Sequence, residues 1–539
     1  MSFDKTMNNI NTFKEFLKKC SELYKNMPAI YKNYNDYDDF FNLYCKVKYL
    51  ATYLINHGYS DKKIAVMGKN SYNWLLTYFA VVSFVGIIIP IDKELTLTEV
   101  NNVYNKSNFD IIFYSNDVYE KIHIIDSELV KKINMDAVNF DLILEKGKKM
   151  YEKNNYVDKV VRDSNKVSIL AFTSGTSFKS KVVKLSQYNI IRDAYNLNFK
   201  FDLSKNDKFF SILPLHHTYE LTCSIITPLM KGASICFCSS LKSIKSDLNK
   251  YKPTAINVVP RILYFIKISI DNEIKKTNKE KTINNLIKFT NLLLKFNINI
   301  KKIIFIKIHK MFGGKIRIIP CGAASLDKDI FKYFNNFGFR IYQGYGLTET
   351  SPIITVMGIS DKTNYSVGKP LKETDVMIIN KDKKGIGEII VRGPQVMIGY
   401  YNEEQNIDLF KDGYFHTGDL GYFDKFGYLY IVGRSKNVII ASNGENIYPE
   451  EIEEKIMLYD FVKEVLVIPK YKNNNLYLVA HIVLKKEYNF VSNIYETIDN
   501  MICDINNELP LYKHISQYVI REKDFEKTST MKIKRYNLF

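Results

Sequence analysis

A hydroxyl- and lysine-rich stretch follows directly on an apolar run: Val167 to Phe172 leads into Thr173-Ser174-Gly175-Thr176-Ser177-Phe178-Lys179-Ser180-Lys181. A loop of this kind after a buried strand can wrap phosphates with its hydroxyls and backbone N–H groups. It lacks the P-loop spacing, in which a glycine stands immediately before the lysine, and taken alone it reads equally well as a plain polar turn. Three further groups follow in order. Tyr342-Gln343-Gly344-Tyr345-Gly346-Leu347-Thr348-Glu349-Thr350 sets an acid among glycines and hydroxyls. Gly413-Tyr414-Phe415-His416-Thr417-Gly418-Asp419 ends on a second acid, and Gly433-Arg434-Ser435-Lys436 supplies two cations. Together with the first loop, these groups are hard to explain by chance.

Such groups need a scaffold. Phe40, Tyr44, Val47, Ala51 and Leu54 recur at helical spacing, and Gly58 sits where a helix would stop. Short apolar runs follow at Ile64 to Met67, Ile111 to Tyr114, Val167 to Phe172, Phe209 to Leu213 and Ile256 to Val259. Ile316 to Ile319, interrupted by Arg317, is a further candidate. Buried runs separated by helix-length segments predict α/β layers with largely parallel sheets. From Ser366 to Val432 close-set β patterns, such as Tyr422 to Tyr430 around Asp424 and Gly427, predict a small β subdomain. After Arg434 the pattern is α+β, with helices near Glu450 to Leu458 and Ile494 to Leu509 and strands near Val462 to Ile468 and Leu476 to Leu484. Lys275 to Lys315 holds eleven lysines and Glu280 as its one acid; it predicts amphipathic helices with Ile283, Leu286, Ile287, Leu293 and Leu294 facing inward.

The chain has 539 residues, 46% of them hydrophobic and 25% charged, which is enough apolar material for real cores. Modest Gly, Pro and Cys contents exclude collagen-like, disordered and disulfide-scaffold classes. The net charge of +18 favours anions in general. Lysine is nevertheless spread along the whole chain and no recognition module is present, so nucleic acid is not expected as a partner. Seven cysteines without framework spacing fit a reducing cytosol. The first residues carry no apolar signal core, and the uncharged stretch Trp74 to Ile91 reads as a helix ending near Gly86 followed by the strand Ile87-Ile88-Ile89 rather than as a membrane span. A cytoplasmic protein is expected.

The ordered motifs, with Thr528-Ser529-Thr530-Met531-Lys532-Ile533-Lys534-Arg535 near the end, resemble the adenylate-forming superfamily of acyl-CoA synthetases, luciferases and peptide-synthetase adenylation domains. The resemblance covers nearly the whole chain. It implies an enzyme that joins a carboxylate to AMP from ATP, releases pyrophosphate, and passes the acyl group to a thiol. Two anions meet at the α-phosphate in the first step, so positioning and positive charge should dominate catalysis. By resemblance, Thr173, Ser174, Gly175, Thr176, Ser177 and Lys181 belong to the loop that holds the β- and γ-phosphates. Glu349 falls at the magnesium-directing acid, with Thr176 as hydroxyl partner; a carboxylate and oxygen-bound water suit Mg²⁺. Asp419 aligns with the acid that binds the ribose hydroxyls, and Arg434 with the basic residue near ribose and phosphate. Gly322, Ala323 and Ala324 resemble the small-residue segment against which adenine lies, Tyr345 is placed to stack on the ring, and Gly346 and Thr348 complete that motif. Lys532 matches the mobile lysine that reaches the α-phosphate, whereas Lys534 is a decoy. Lys436 matches the hinge, Gly444 lies where pantetheine passes, and His217 borders the acyl pocket; a carboxylate already ionised at neutral pH needs no base.

The implied architecture is α/β: residues 1–433 form layered α/β subdomains with a β subdomain near 366–433, 434–437 the hinge, and 438–539 a small mobile α+β lid. Phe178, Ser180, Val182 and Met531 depart from the family, which usually has Gly, Pro, Gly and Gly at those places. Phe178 matters most, because a loop folding onto phosphates often uses glycine's backbone freedom. No Asp stands near Thr218 to Leu221 to hold an α-ammonium, which points to a plain carboxylic acid. Leu213 to Glu220, Val259-Pro260-Arg261 and the lysine-rich insert look like fatty acyl-CoA synthetases. A medium- or long-chain fatty acid, ATP, Mg²⁺ and coenzyme A are therefore expected. An acyl carrier protein as acceptor and a catalytically impaired nucleotide-binding scaffold are the alternatives, and the lysine-rich insert suggests peripheral contact with an anionic membrane.

Overall fold

In the computed structural model, residues 3–123, 125, 130–136, 138–173, 181–361, 365–407, 409–441, 445–472, 475–488, 493–527, 533 and 535 are described. The fold is α/β, as the spacing of apolar runs predicts. The chain divides into two compact units, one of Met1–Asp375 with Arg392–Phe410 and one of Val376–Val391 with Lys411–Phe539. Much of the stretch expected as a β subdomain thus clusters with the carboxy-terminal residues.

The first unit holds two large sheets. In the seven-stranded sheet, Lys63–Met67, Ile87–Ile91, Ile111–Tyr114, Lys131–Asn134 and Val167–Phe172 run parallel, and Val182–Ser186 returns antiparallel beside Val167–Phe172. In the five-stranded sheet, Pro28–Asn33, Lys208–Ser211, Ser234–Phe237 and Ala255–Ile256 are parallel, with Asp36–Asp39 added antiparallel. Inner strands such as Ile111–Tyr114 and Ser234–Phe237 are buried throughout, so they read as continuous apolar runs rather than alternating ones. The uncharged stretch resolves into a helix Tyr72–Ala80, a π-helical turn Val81–Val85 and the strand Ile87–Ile91. Gly86 is needed between them, because a Cβ there would lie 2.1 Å from the carbonyl oxygen of Lys62.

A third sheet orders Ile319–Cys321, Ile341–Gly346, Ile353–Val356 and Lys369–Pro370, the first two parallel. The second unit contains a sheet built on Gly387–Arg392, Tyr414–Phe423 and Leu429–Arg434. Beyond it, Val462–Lys472, Asn475–Leu484 and Ile515–Arg521 form a three-stranded sheet with helices Pro449–Met457 and Ile494–Glu508 on a shared apolar core. Among the described residues no helix is long and apolar enough to cross a membrane.

Candidate active site

The motif-bearing loops of the first unit leave the C-terminal ends of its strands, the usual place for ligands in open α/β sheets. At the end of Val167–Phe172, the Thr173 backbone N–H donates to the Lys181 carbonyl at 3.0 Å, and the Lys181 N–H donates to Thr173 Oγ1 at 3.1 Å. Those two residues close the base of the hydroxyl-rich loop. Ser174, Gly175, Thr176, Ser177 and Phe178 lie outside the described residues.

Lys181 and Glu349 come from different loops, and one tyrosine links them. The Lys181 Nζ stands 4.1 Å from the ring centroid of Tyr400, a cation–π contact. The Tyr400 hydroxyl donates to Glu349 Oε1 at 2.9 Å. Tyr400 reaches this point because the short strand Gly399–Tyr400 pairs antiparallel with Val182–Ser186, placing it opposite Val183. Glu349 sits in the turn Thr348–Thr350 after Gly346. That turn is tightly fastened: the Leu347 N–H and the Thr350 hydroxyl both donate to the Pro352 carbonyl, at 2.9 and 2.7 Å, and the Met397 N–H donates to the Glu349 carbonyl at 2.9 Å. Gly346 admits no side chain, since a Cβ would fall 1.7 Å from that same Pro352 oxygen. Glu349 is half-buried and accepts from one hydroxyl, and a lone carboxylate of this kind suits Mg²⁺, which keeps most of its waters.

Gly322, Ala323 and Ala324 follow the strand Ile319–Cys321, which is parallel to and in register with the strand that carries Tyr345 and leads to Glu349. Ala323 has φ of 67° and Ser351 φ of 68°. Left-handed non-glycine residues of this kind cost energy and concentrate at ligand sites. Tyr345 is buried on its strand opposite Thr355. Beside Gly322 lies the ring of Tyr219, 3.3 Å from where a Cβ would be. Tyr219, Cys223, Asn257, Cys321, Tyr342 and Gly344 are among the residues enclosing an apolar cavity of about 20 Å³. His217 is not among its lining residues; it stands at the start of the short helix Thr218–Glu220 with its ring tilted at 47° against His216, centroids 4.0 Å apart. The sequence signal that could have found this wall is the strand alternation of Tyr342, Gly344 and Gly346, which puts two glycines on one face.

Glu220 is fully buried and takes no part in lining that cavity. It accepts from the Ser211 and Ser224 hydroxyls at 2.6 Å each, and burial pushes its carboxyl up to about 7 against the opposing pull of these donors. The unfolded chain releases this proton near the ordinary value of 4.5. The native state therefore holds the extra proton between the two values, and the stabilisation present at low pH is lost as pH rises through about 7. Glu220→Gln should lose less stability than the parent between pH 5 and 8, by on the order of 2 kcal/mol. Thermal unfolding of both proteins at the two pH values checks this; an equal drop in both would refute it.

In the second unit, Asp419 and Arg434 face each other in register across adjacent antiparallel strands. Arg434 Nε meets Asp419 Oδ1 at 2.8 Å, with Asp419 buried and the arginine half exposed. The Thr417 hydroxyl receives the Asp419 N–H at 3.1 Å, and Gly418, at φ 69°, makes the kink between them. His416 pairs with Glu388 at 3.2 Å. Lys436 is exposed in the turn Ser435–Asn437. Lys532 and Gly444 lie outside the described residues, but the flanks of Lys532 are well held. Lys527 bridges to Ile533 and forms an ion pair with Glu464. Arg535 pairs with Glu453 and stands 3.5 Å from Glu450. Glu450 in turn accepts from the Asn437 side chain at 2.7 Å.

A lysine and an acid are thus joined through Tyr400 on loops at strand ends, where open α/β sheets usually hold their ligands. The chain belongs to the AMP-binding enzyme family: that family's model matches residues 17–401, and the model for its C-terminal domain matches 436–538. It is similar to the peroxisomal long chain acyl-CoA synthetase 6 of Arabidopsis thaliana, 26% identical over 476 residues, which cover 80% of this chain and 66% of that one. It is also similar to the chloroplastic long-chain-fatty-acid–[acyl-carrier-protein] ligase AEE15 of the same plant, 26% identical over 76% of this chain and 67% of the relative. Its fold matches the o-succinylbenzoate CoA synthetase of Bacillus subtilis in complex with its acyl-adenylate intermediate, with a TM-score of 0.76 and 22% identity over 97% of both chains.

Proposed function

We propose that this chain activates a fatty acid of medium or long chain with ATP and transfers the acyl group to coenzyme A. A carboxylate oxygen attacks the α-phosphorus, the bond from that phosphorus to the bridging oxygen breaks, and pyrophosphate leaves. The thiol sulfur then attacks the acyl carbon, AMP leaves, and the thiol proton passes to solvent. The observation that carries this reading is the Lys181–Tyr400–Glu349 chain, which ties a cation at the base of the hydroxyl-rich loop to a fastened acid.

In this reading the loop from Thr173 to Lys181 holds the β- and γ-phosphates. Glu349 and Thr176 hold Mg²⁺, which supplies positive charge beside the phosphates. Asp419 accepts from the ribose hydroxyls with Arg434 beside it, and adenine lies along Gly322 to Ala324 near Tyr345. Lys532 brings positive charge to the α-phosphate, Lys436 is the hinge, and Gly444 borders the path of pantetheine. In this reading His217 borders the acyl pocket, which must widen beyond the cavity of about 20 Å³ beside Tyr219 to take an acyl chain. The buried state of Glu220 fits a plain carboxylic acid, because this acid is spent on two serines and takes no part in lining the cavity.

The similarity to an acyl-carrier-protein ligase keeps a carrier protein as a second acceptor. ATP–pyrophosphate exchange across a panel of carboxylic acids, followed by coenzyme A or carrier protein, tests both readings; no exchange with any acid would overturn them. The same assay addresses Phe178. Phe178→Gly should change pyrophosphate release by no more than about tenfold, equivalent to about 1.4 kcal/mol of barrier. A gain of several orders of magnitude would mean instead that the phenyl ring blocks the loop and that the parent is an impaired scaffold.

A further inference from the structure

The lysine-rich insert folds as helices Pro260–Lys276, Glu280–Leu294, Lys301–Ile304 and Ile306–Met311. Its inner face is satisfied: Ile262, Leu263 and Ile270 are buried, and Ile283, Leu286 and Ile287 pack on the same core. Leu294, expected inward, is instead exposed. The outer face breaks the rule for a helix facing water. Phe289 and Leu292 are 50% and 51% exposed, and Phe296 and Ile303 reach 69% and 73%. The first three stand at i, i+3 and i+7, a single helical stripe continued into the following turn. Lys281, Lys288, Lys295 and Lys302 are exposed around them, and among the described residues none of the four lies within 4 Å of a carboxylate. Glu273 and Glu280 are the exposed acids of the two longer helices.

We propose that this outer face docks on an anionic lipid bilayer. Rings and aliphatic groups interleaved with cations match an interface in which side chains enter the acyl boundary while ammonium groups stay among phosphates. A nucleic acid would use the lysines but leave Leu292 and Ile303 in water. The inference stands apart from the reaction proposed above, and a binding measurement without ATP tests it alone.

The test is flotation of the full chain with vesicles of phosphatidylcholine alone or with phosphatidylglycerol added. Recovery should rise strongly with the anionic lipid and fall as salt is raised. Each lysine near the surface contributes about fivefold in partitioning, so Lys281→Glu, Lys288→Glu and Lys295→Glu together should lower it by about 100-fold or more. Phe289→Ser with Phe296→Ser should weaken binding while leaving its salt dependence. All five positions are exposed, and an unchanged thermal transition verifies folding. Equal recovery on both vesicles, a charge-reversed variant that floats like the parent, or retention by single-stranded RNA without vesicle binding would each overturn the proposal.

Discussion

Lys532→Ala is expected to slow acyl-AMP formation by about 10²–10³-fold, the usual loss when one electrostatic contact to a transition state is removed. Thioester formation from supplied acyl-AMP should be largely spared, because the charge at the α-phosphate is needed in the first step and not in the second. Lys534→Ala should change neither step appreciably. Neither lysine lies among the described residues, so the case for this register rests on the motif and on its neighbours: Ile533 is bridged to Lys527 and Arg535 is paired with Glu453. Pyrophosphate release and coenzyme A transfer, assayed separately for both variants, decide the matter. Two variants that behave alike would show that the reading frame of the motif is wrong.

The second large effect is expected at Glu349. Glu349→Gln keeps the side chain's shape but removes its charge, and acyl-AMP formation should fall by about 10²–10³-fold, with the Mg²⁺ concentration for half-maximal rate moving upward. Tyr400→Phe removes the hydroxyl donated to the same carboxylate. A hydrogen bond to a charged group is worth about 1.5–3 kcal/mol, so the tyrosine variant should lose about 10- to 100-fold, with a smaller displacement of the Mg²⁺ midpoint. A Tyr400→Phe loss as large as that at Glu349, without any change in Mg²⁺ dependence, would mean that the tyrosine acts on the nucleotide directly rather than through the acid.

Much of the scaffold was legible because its apolar runs are short and bounded. Lys63–Met67, Ile111–Tyr114 and Val167–Phe172 form where Ile64 to Met67, Ile111 to Tyr114 and Val167 to Phe172 predict them. The run Ile256 to Val259 yields a strand of Ala255–Ile256, because Pro260 opens a helix with Val259 as its cap. Ile316 to Ile319 is displaced to Ile319–Cys321; Arg317, which interrupts the run, is drawn off to Asp207 at 2.6 Å. Among the candidate residues of the two units, Glu349, Asp419 and Arg434 stand out through their motifs. Tyr400 does not, because an isolated tyrosine acquires meaning through strand pairing with residues more than 200 positions earlier, and no local pattern encodes such a partner. Tyr219, in the short helix Thr218–Glu220, was hidden because its neighbour Gly322 comes from a distant strand end, and the histidines beside it are more conspicuous.

The ion pairs on either side of Lys532 bear on how this protein could be recombined. Lys527, Arg535, Glu453 and Glu464 all lie in the last hundred residues, so both anchors and both counter-charges travel together when that stretch is exchanged between relatives. A graft of 438–539 brings both of these ion pairs with it, although Asn437, which bonds Glu450, stays with the recipient. A graft that stops short of Arg535 leaves Glu453, a carboxyl already pushed up to about 7 by burial, without its cation. Natural variants and laboratory chimeras should therefore tolerate crossovers ahead of this stretch and fail at crossovers between Glu464 and Arg535.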